Sequence, residues 1–446
     1  MSIKNRLFTP IDNAPLVLFR IFFGFLLACE TFGAIATGWV KSNFVTPKFT
    51  FSHIGMNWLQ PLPGNGMYFY FCAMGILGLL IMVGYKYRYC ISLFTIMWTA
   101  VYFMQKTSYN NHYYLLVLVC LIMCFLPAQR YASIDVKQNP ALKKLTMPQW
   151  CSWVMIAMVS IVYFYATLAK FYPDWLNGTF THSLLNRSVT IPSLHSVMTQ
   201  KWFCLFIAYA GIVFDLSIVP LMLFKRTRTI AFIASIIFHI FNSITLQIGI
   251  FPFFALSFAV FFYPPDRIRK VFFRKKPAVE TDIEATYTNE SIVAFKYFFV
   301  PFLIIQLLLP LRHYFIKGDV LWTEEGHRLS WRMMLRNRSG STNFVVIDKK
   351  TGNTLFYDIM KDYTLKQISG MSTRPDMIWQ TAQRIKNNFD LQGKDVAVHA
   401  HTRVSINGSP YKYLINPDTD LASARWDYFF HCDWILLYDS NNNLIK

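Results

Sequence analysis

The fold is decided by the stretch Leu16-Val-Leu-Phe-Arg-Ile-Phe-Phe-Gly-Phe-Leu-Leu-Ala-Cys-Glu-Thr-Phe-Gly-Ala-Ile-Ala36. Only Arg20, Glu30 and a few small or polar residues interrupt its apolar side chains. A helix needs about 20 predominantly apolar residues to cross the hydrocarbon core of a bilayer. The stretch therefore predicts a transmembrane helix. It is too long for a signal peptide and has no small-residue cleavage site.

The composition extends this interpretation to the rest of the chain. Of the 446 residues, 54% are hydrophobic and only 15% are charged. A soluble domain carries about 25% charged residues, so this chain lacks the polar groups to cover a water-facing surface. We predict a polytopic α-helical membrane protein with about nine spans. They lie near residues 14–38, 66–84, 89–105, 113–128, 150–171, 202–224, 229–247, 249–264 and 293–311.

Positive charge predicts the orientation of these spans. The formal net charge is +19, and cytoplasmic loops of membrane proteins collect Lys and Arg. This bias explains the charge better than a nucleic-acid partner does, so we expect contact with membrane lipid and no nucleic acid. A cytoplasmic N-terminus puts the cations of 86–88, 130–144, 225–228 and 267–276 inside. An odd number of spans then places the C-terminal part in the periplasm or a lumen.

The C-terminal part has a different composition. Residues 343–347 and 354–357, joined by the turn 348–353, are typical of a β-hairpin. A helix is predicted near 374–389, and further strands at 395–407, 409–416 and 433–439. We therefore expect two domains. Residues 1–314 would form a transmembrane helical catalytic domain, and residues 315–446 a small extracytoplasmic β-rich (α+β) domain.

Ionisable residues in or beside the apolar runs are the candidates for function, because charges in hydrocarbon are costly. Lys170 ends the fifth run, and His112 lies at the outer end of the fourth. His239 and Asn242 are three residues apart, so they share a helix face. His313 follows the last span. A lysine at a helix end usually extends to the headgroups, and a lone membrane histidine usually bonds to a neighbouring helix. On the predicted topology, Lys170, His112 and His313 lie near the outer leaflet, and His239 lies deeper in a helix that runs toward it. This common depth favours one cavity that the four residues share.

A lysine in such a cavity has a chemical use. Burial penalises the ammonium form, so Lys170 could be a free amine and act as a general base. No metal is expected. His399 and His401 alternate along a predicted strand and could resemble ligands, but we do not interpret them as a metal site.

At these residues the sequence resembles the vitamin K-dependent γ-glutamyl carboxylases, a resemblance that spans nearly the whole chain in order. The matching segments are Val17 to Phe25, Gln60-Pro-Leu-Pro63, Lys106-Thr-Ser-Tyr-Asn-Asn-His112, Tyr163 to Trp175, Phe238 to Ser243, Ser330-Trp-Arg-Met-Met334, Val404-Ser-Ile-Asn407 and Asn416 to Leu421. The chain is shorter than the animal members and is similar to a bacterial-type homologue, which implies a bacterial inner membrane.

The resemblance implies an activity. In that family a lysine, matched by Lys170, deprotonates reduced vitamin K. The quinol then reacts with O2 to give a strongly basic oxygenated intermediate, which removes the γ-proton of a substrate glutamate. CO2 traps the carbanion and the quinone leaves as its epoxide. A side chain is too weak a base to remove that proton, so oxidation of a cofactor must drive the step.

Further site residues are implied by the same resemblance. His112 would act with Lys170 in catalysis. Asn111, His239, Asn242 and His313 would bind the reduced vitamin K or a menaquinol-like quinol. The glutamate-containing peptide or exported protein would contact Trp322, Ser330, Trp331, Met333 and Met334.

The positions at which this sequence departs from the animal enzymes lie in the segment expected to bind the peptide. His327 stands where animal enzymes carry a tyrosine, and Arg336 replaces a histidine. Glu324 and Glu325 add acidity that would repel a glutamate carboxylate unless it is screened. The leading interpretation is a γ-glutamyl carboxylase, a carbon–carbon lyase that also forms the quinone epoxide. The alternatives are a quinol epoxidase without peptide carboxylation, and a non-enzymatic membrane factor that processes an exported peptide.

Overall fold

The structure is a computed structural model that describes residues 7–189, 191–246, 249–279, 289–333, 335–439 and 443–445. It is mostly helical, with a small sheet region near the C-terminus. The α-helices are α1 Ala14–Ala36, α2 Gly66–Val83, α3 Tyr87–Met104, α4 Asn111–Phe125, α5 Ile134–Gln138, α6 Trp150–Leu168, α7 Pro173–Leu176, α8 Thr179–Ser188, α9 Pro192–Met198, α10 Lys201–Leu223, α11 Arg228–Leu246, α12 Phe251–Ser257, α13 Pro265–Phe272, α14 Asn289–Ala294, α15 Val300–Leu308, α16 Val320–Thr323, α17 Leu365–Met371 and α18 Pro375–Asp390.

Shorter helical turns continue several of these helices. The 3₁₀ turn Phe258–Phe261 extends α12, and the π-helical Phe295–Phe299 joins α14 to α15. The 3₁₀ turn Leu309–Phe315 follows α15. The other short elements are the π-helix Lys41–Val45 and the 3₁₀ turns Pro140–Leu142 and Ile359–Lys361. The strands are β1 Pro10–Asp12, β2 Thr146–Pro148, β3 Arg338–Asp348, β4 Thr354–Tyr357, β5 Val396–Ile406, β6 Lys412–Tyr413, β7 Leu437–Tyr438 and β8 Leu444–Ile445.

The membrane prediction is confirmed in its coarse form. Within the described residues, 5 helical segments are long and apolar enough to cross a bilayer: α1, α2, α6, α10 and the segment Ile292–Phe315. Helix α4, the segment 228–244 of α11 and the segment Phe251–Phe261 are apolar but shorter. Nine spans are therefore not confirmed, and that number stays a prediction.

Glycines let helices α1 and α2 pack with their backbones in contact. A Cβ on Gly24 would lie 2.4 Å from the backbone nitrogen of Met82, and one on Gly78 would lie 2.7 Å from that of Ala28. Small residues at such positions are how helices associate in lipid, where burial from water contributes little. The contact gives the helical part a tight core at its N-terminal end.

Arg20 is one of the two charged residues in the first apolar stretch, and the structure shows why it is tolerated there. Its side chain is fully buried and donates to the carbonyl oxygens of Ala128, Tyr131 and Ala132 at 3.2, 3.3 and 2.6 Å. A buried guanidinium needs such acceptors to offset its lost hydration. Arg20 therefore ties α1 to the segment after α4, and its role is structural.

The C-terminal region forms an α+β unit. Strands β4, β3, β5 and β6 make a 4-stranded antiparallel sheet in that order. Helix α18 covers one face, where Ile378 and Ile385 join Phe344 and Val398 in a buried core. The predicted hairpin, the helix near 374–389 and the long strand at 395–407 are confirmed. The strands expected at 409–416 and 433–439 are much shorter, as β6 and β7.

A buried ionic cluster holds the sheet region against the helices. Asp376, at the start of α18, accepts from Lys106 Nζ at 2.5 Å and from Arg328 Nη1 at 2.5 Å. Lys106 and Asp376 are 1% and 3% exposed. Burial lowers the pKa of Lys106 to about 8, and the contact with Asp376 opposes that shift. The segment after α3, the segment after α16 and α18 thus share one buried carboxylate.

Candidate functional site

A cavity of about 200 Å³ lies inside the helical part. Helices α4, α6, α8, α10, α11 and α12 form its walls, which are mostly aliphatic and aromatic. Few polar groups face it. The polar or ionisable residues among its lining are His112, Tyr163, Lys170, Thr181, Asp215, His239 and Asn242. A mostly apolar pocket with a few convergent polar groups is the usual form of a small-molecule site.

Lys170 enters this cavity because helix α6 ends just before it. Pro173 cannot continue a helix and restricts the preceding residue, and Tyr172 is accordingly extended, with φ −141° and ψ 157°. Lys170 therefore sits in a turn, with its backbone N–H bonded to the Thr167 carbonyl at 3.0 Å. Its Nζ lies 5.4 Å from the ring centre of Trp175.

Asp215 is the partner of Lys170. The Lys170 ammonium donates to the Asp215 carboxylate, and the two side chains are 11% and 6% exposed. Asp215 lies near the middle of α10, surrounded by apolar residues. A carboxylate in contact favours the charged lysine and opposes the effect of burial. The lysine that the sequence predicts to be the base is therefore in contact with a carboxylate, a partner that desolvation alone does not anticipate.

Sequence reasoning missed Asp215, although a signal was present. An acid inside an apolar span marks a functional position by default, and Asp215 is the one acid between residues 201 and 223. Its distance of 45 residues from Lys170 hid the pairing.

His239 and His112 line the same cavity. His239 is 2% exposed; its Nε2 is 3.1 Å from the Tyr163 hydroxyl, and its Nδ1 has no partner among the described residues. The His112 ring stacks on Phe251, with centroids 3.7 Å apart. The structure thus brings Lys170, His112 and His239 to one cavity.

Asn111 and His313 do not line this cavity. Asn111 is buried; its Nδ2 donates to the Arg332 carbonyl at 3.1 Å and its Oδ1 accepts from the Tyr109 hydroxyl at 3.0 Å. His313 lines a neighbouring cavity with Tyr172 and Arg332. The expectation that His313 shares the Lys170 cavity is therefore wrong, because a common depth does not set the side of the bundle that a side chain faces.

The predicted peptide-binding residues take different positions. Met333 lines the Lys170 cavity. Trp331 is fully buried and stacks on Tyr114 with centroids 4.9 Å apart. The buried Ser330 hydroxyl donates to the Gly326 carbonyl. Trp322 packs on the sheet region and donates to the Leu436 carbonyl at 2.7 Å. Met334 lies outside the described residues.

The acidity at Glu324 and Glu325 is screened. Glu324 is buried between the guanidinium groups of Arg336 and Arg338. Burial alone would raise its pKa, but Arg336, His327 and Arg338 outweigh burial and hold it well below its usual range. Glu325 accepts from His431 Nδ1 at 2.7 Å and from the Cys432 N–H at 2.8 Å. The expected repulsion of a substrate carboxylate is thus removed by neighbouring donors.

Metal chemistry has no candidate group in the part of the chain that the structure describes, where no three His, Cys, Asp or Glu side chains cluster suitably. His399 Nδ1 instead lies 3.1 Å from the carbonyl of Pro417.

The helices and the buried cavity define a multi-pass membrane protein with a candidate small-molecule site among its helices. Residues 8–267 match the HTTM domain, and residues 292–441 match the vitamin K-dependent gamma-carboxylase lumenal domain. The first match alone covers more than half of the chain, and the two together cover most of it. The chain belongs to the vitamin K-dependent gamma-carboxylase family, which confirms the resemblance found in the sequence. No solved structure matches it.

Membership of this family indicates that the protein is a carboxylase-type membrane enzyme. It is vitamin K-dependent and acts on glutamate-containing substrates, which implies reduced vitamin K, O2 and CO2 as reactants.

Proposed function

We propose that this protein couples oxygenation of reduced vitamin K, or of a related quinol, to its epoxide with γ-carboxylation of glutamate in a peptide. The observation that carries the proposal is the Lys170–Asp215 pair in an apolar cavity that His112 and His239 also line. The pair lies within the segment that matches the HTTM domain.

The cavity fits an aromatic quinol. Trp175 and Phe251 offer flat apolar surfaces, and the lining is otherwise aliphatic or aromatic. The unpartnered Nδ1 of His239 is a buried polar atom, and such atoms normally bond to something. A quinol hydroxyl or carbonyl would satisfy it. We assign orientation of the ring to His239 and Asn242, and contact with its oxygen to His112.

When bound, the quinol supplies the oxidative energy for removing a proton that no side chain is basic enough to remove. Lys170 and Asp215 share one proton at rest. When the pair accepts a second proton, from a quinol hydroxyl, Asp215 becomes neutral and Lys170 is an ammonium. The same end state results whichever of the two takes the proton first. The Lys170 ammonium then lies beside the quinol oxygen that has lost its proton, so the cavity stays close to neutral overall.

The walls of the cavity serve to keep water out. Val159, Val162, Ala166 and Leu185 leave bulk water few hydrogen-bond partners there. Excluding water strengthens each electrostatic contact and prevents a reactive species from being quenched. The phenol of Tyr163, bonded to His239, adds a proton donor without adding charge.

The peptide would approach from the side of the sheet region. Met333 belongs to the segment between that region and the helices, and it reaches the cavity wall. We assign peptide contact to this segment and to Trp322. Asn111 would act indirectly, since it fixes the backbone at Arg332.

The topology follows from the same proposal. The C-terminal match is to a domain described as lumenal, which supports a cytoplasmic N-terminus, nine spans and a sheet region outside the cytoplasm. A catalytic domain of residues 1–314 would then lie in the membrane and residues 315–446 outside it.

A product assay tests the proposal. The purified protein would be given reduced vitamin K, O2, a glutamyl peptide and labelled CO2. We expect epoxide and labelled peptide in similar amounts. Epoxide without label would contradict the carboxylase and favour an uncoupled epoxidase, and neither product would contradict both.

A further inference from the structure

A second cavity, of about 290 Å³, lies on the other side of the turn that carries Lys170. Ala169 and Tyr172 form part of its wall, together with the segment that leads from the last apolar helix to α16. We call it the Arg332 cavity. Its lining residues include His313, Asp319 and Arg332.

Arg332 is a buried cation with no carboxylate in direct contact among the described residues, and Asp319 in the same cavity acts on it from a longer distance. Arg332 is 8% exposed, and among the described residues no carboxylate lies within 4.0 Å of its guanidinium. Its Nε also lacks a partner there. Buried charges are normally paired, and a guanidinium presents a fork of donors that matches a planar oxyanion. At least the Nε donor of Arg332 is thus not used by any acceptor in the described part of the chain.

His313 does not neutralise Arg332. Its Nδ1 lies 2.7 Å from the Pro310 carbonyl, so Nδ1 must carry the hydrogen, because a carbonyl only accepts. The lone pair of Nε2 is then left for Arg332 Nη1 at 3.3 Å. This contact aims the guanidinium and keeps His313 neutral, but it supplies no negative charge.

The backbone around Arg332 is strained. Leu329 and Trp331 have φ of 65° and 56°, in the left-handed region that bulky residues rarely adopt. Such strain persists when surrounding packing determines it and is concentrated at ligand sites. It sends consecutive side chains in different directions, with Arg332 in the second cavity and Met333 in the first.

We infer that the Arg332 cavity binds a planar oxyanion, either a side-chain carboxylate or bicarbonate. Arg332 would hold the two oxygens through its fork, and His313 would fix the guanidinium. The proposed function enters only in naming the source, a glutamyl side chain or dissolved CO2. Binding itself requires no turnover.

Asp319 allows a second test of the proposal, in which anion binding should become stronger. It lines the cavity and its Oδ1 accepts from the Leu321 N–H at 2.8 Å, as the N-cap of α16. An asparagine caps a helix equally well, so Asp319→Asn removes the negative charge that repels an anion and keeps the local fold.

The test measures the thermal unfolding midpoint of the full chain in lipid nanodiscs, without quinol. Sodium bicarbonate and N-acetylglutamate amide would be titrated separately, with sodium chloride at matched ionic strength. We expect a saturable rise of ~2–5 °C with at least one oxyanion. Arg332→Gln should abolish it, and Asp319→Asn should tighten binding several-fold. Arg312→Gln, which removes a nearby cation outside the cavity, should leave it unchanged.

The outcomes are decisive in either direction. Saturation by the blocked glutamate assigns the site to peptide, and saturation by bicarbonate assigns it to a CO2-derived anion. The proposal is overturned if neither saturates, if chloride acts equally, or if Arg332→Gln still responds. If Arg332→Gln does not fold, unchanged or weaker binding in Asp319→Asn overturns it. Failure of the product assay leaves these results unaffected.

Discussion

At the scale of single residues, the proposed chemistry depends on a lysine that is paired with an acid. Lys170 and Asp215 are in direct contact in an apolar cavity, so a change of charge on one alters the electrostatic environment of the other. The role of Lys170 therefore includes holding the charge that develops on the substrate oxygen, as well as taking a proton.

The Asp215→Asn variant tests that pairing. We expect epoxide formation to fall by about 100-fold, the range of a positioned acid–base group, because Lys170 loses the partner that orients it. Asp215→Glu should retain part of the activity. Ser217→Ala, a half-buried position on the same helix that does not line the cavity, is the matched control. Unchanged epoxidation in Asp215→Asn would remove Asp215 from the mechanism.

The site was only partly predictable from sequence at this scale. Lys170, His112 and His239 could be found because ionisable residues in or beside an apolar run are rare and usually functional. The pairing of Asp215 with Lys170 and the separation of His313 from this cavity could not be found in this way. Both depend on which way a helix is turned about its axis, and hydropathy is nearly uniform around α10.

At the scale of elements, α10 forms the cavity wall beside Lys170. Gly211 leaves room there: a Cβ would meet Trp175 Cζ2 at 3.6 Å and Lys170 Cε at 3.9 Å, both ordinary contacts. One methyl group fits, and a larger side chain would enter the cavity.

Two substitutions at Gly211 use this geometry. Gly211→Ala should keep quinol binding and turnover near wild type. Gly211→Leu should fill the space beside Lys170 and raise the KM for quinol by about 10-fold or more, since one blocked contact costs on the order of 1–3 kcal/mol. Equal KM values for the two variants would place the quinol elsewhere, provided that both proteins unfold at similar temperatures.

The elements themselves were largely predictable. Twenty apolar residues can satisfy their backbone in lipid only as a helix, which is why the runs starting near 14 and 150 appear as α1 and α6. The short β6 and β7 were over-predicted. There the chain is held by turns and by the isolated bridge between Ile415 and Ile435 instead of a ladder.

At the scale of the whole molecule, the sheet region is joined to the helices through Asp376. Arg328 also faces the ring of Tyr109, whose hydroxyl bonds to Asn111 beside His112. The cluster therefore links the start of α18 to the wall of the Lys170 cavity. Sequence could not show it, because its members are 270 and 48 residues apart.

Asp376→Asn should be the most damaging change in this cluster. It leaves Lys106 and Arg328 buried without a counter-charge, which costs roughly 3–5 kcal/mol. Lys106→Met should cost less, because the Arg328–Asp376 pair remains. Denaturant unfolding of the two variants beside wild type measures the difference. Equal stabilities would show that the cluster contributes little.

The same carboxylate predicts a response to acid. Burial alone would raise the pKa of Asp376, but Arg328 and Lys106 outweigh it and hold it well below the usual range. Its contribution to stability is therefore complete above about pH 4, the pKa of an unfolded aspartate, and is lost as the pH falls further. Wild type should lose stability in that range faster than Asp376→Asn, and parallel curves would contradict this.

The most direct test of the account is the pH profile of epoxide formation in Lys170→Ala. Lys170 is assigned to the proton of the quinol, so the variant should lose at least 100-fold activity near neutral pH. Activity should return partly at high pH, where the quinol ionises without help. Epoxide formation at the wild-type rate and at neutral pH in a folded Lys170→Ala protein would contradict the account.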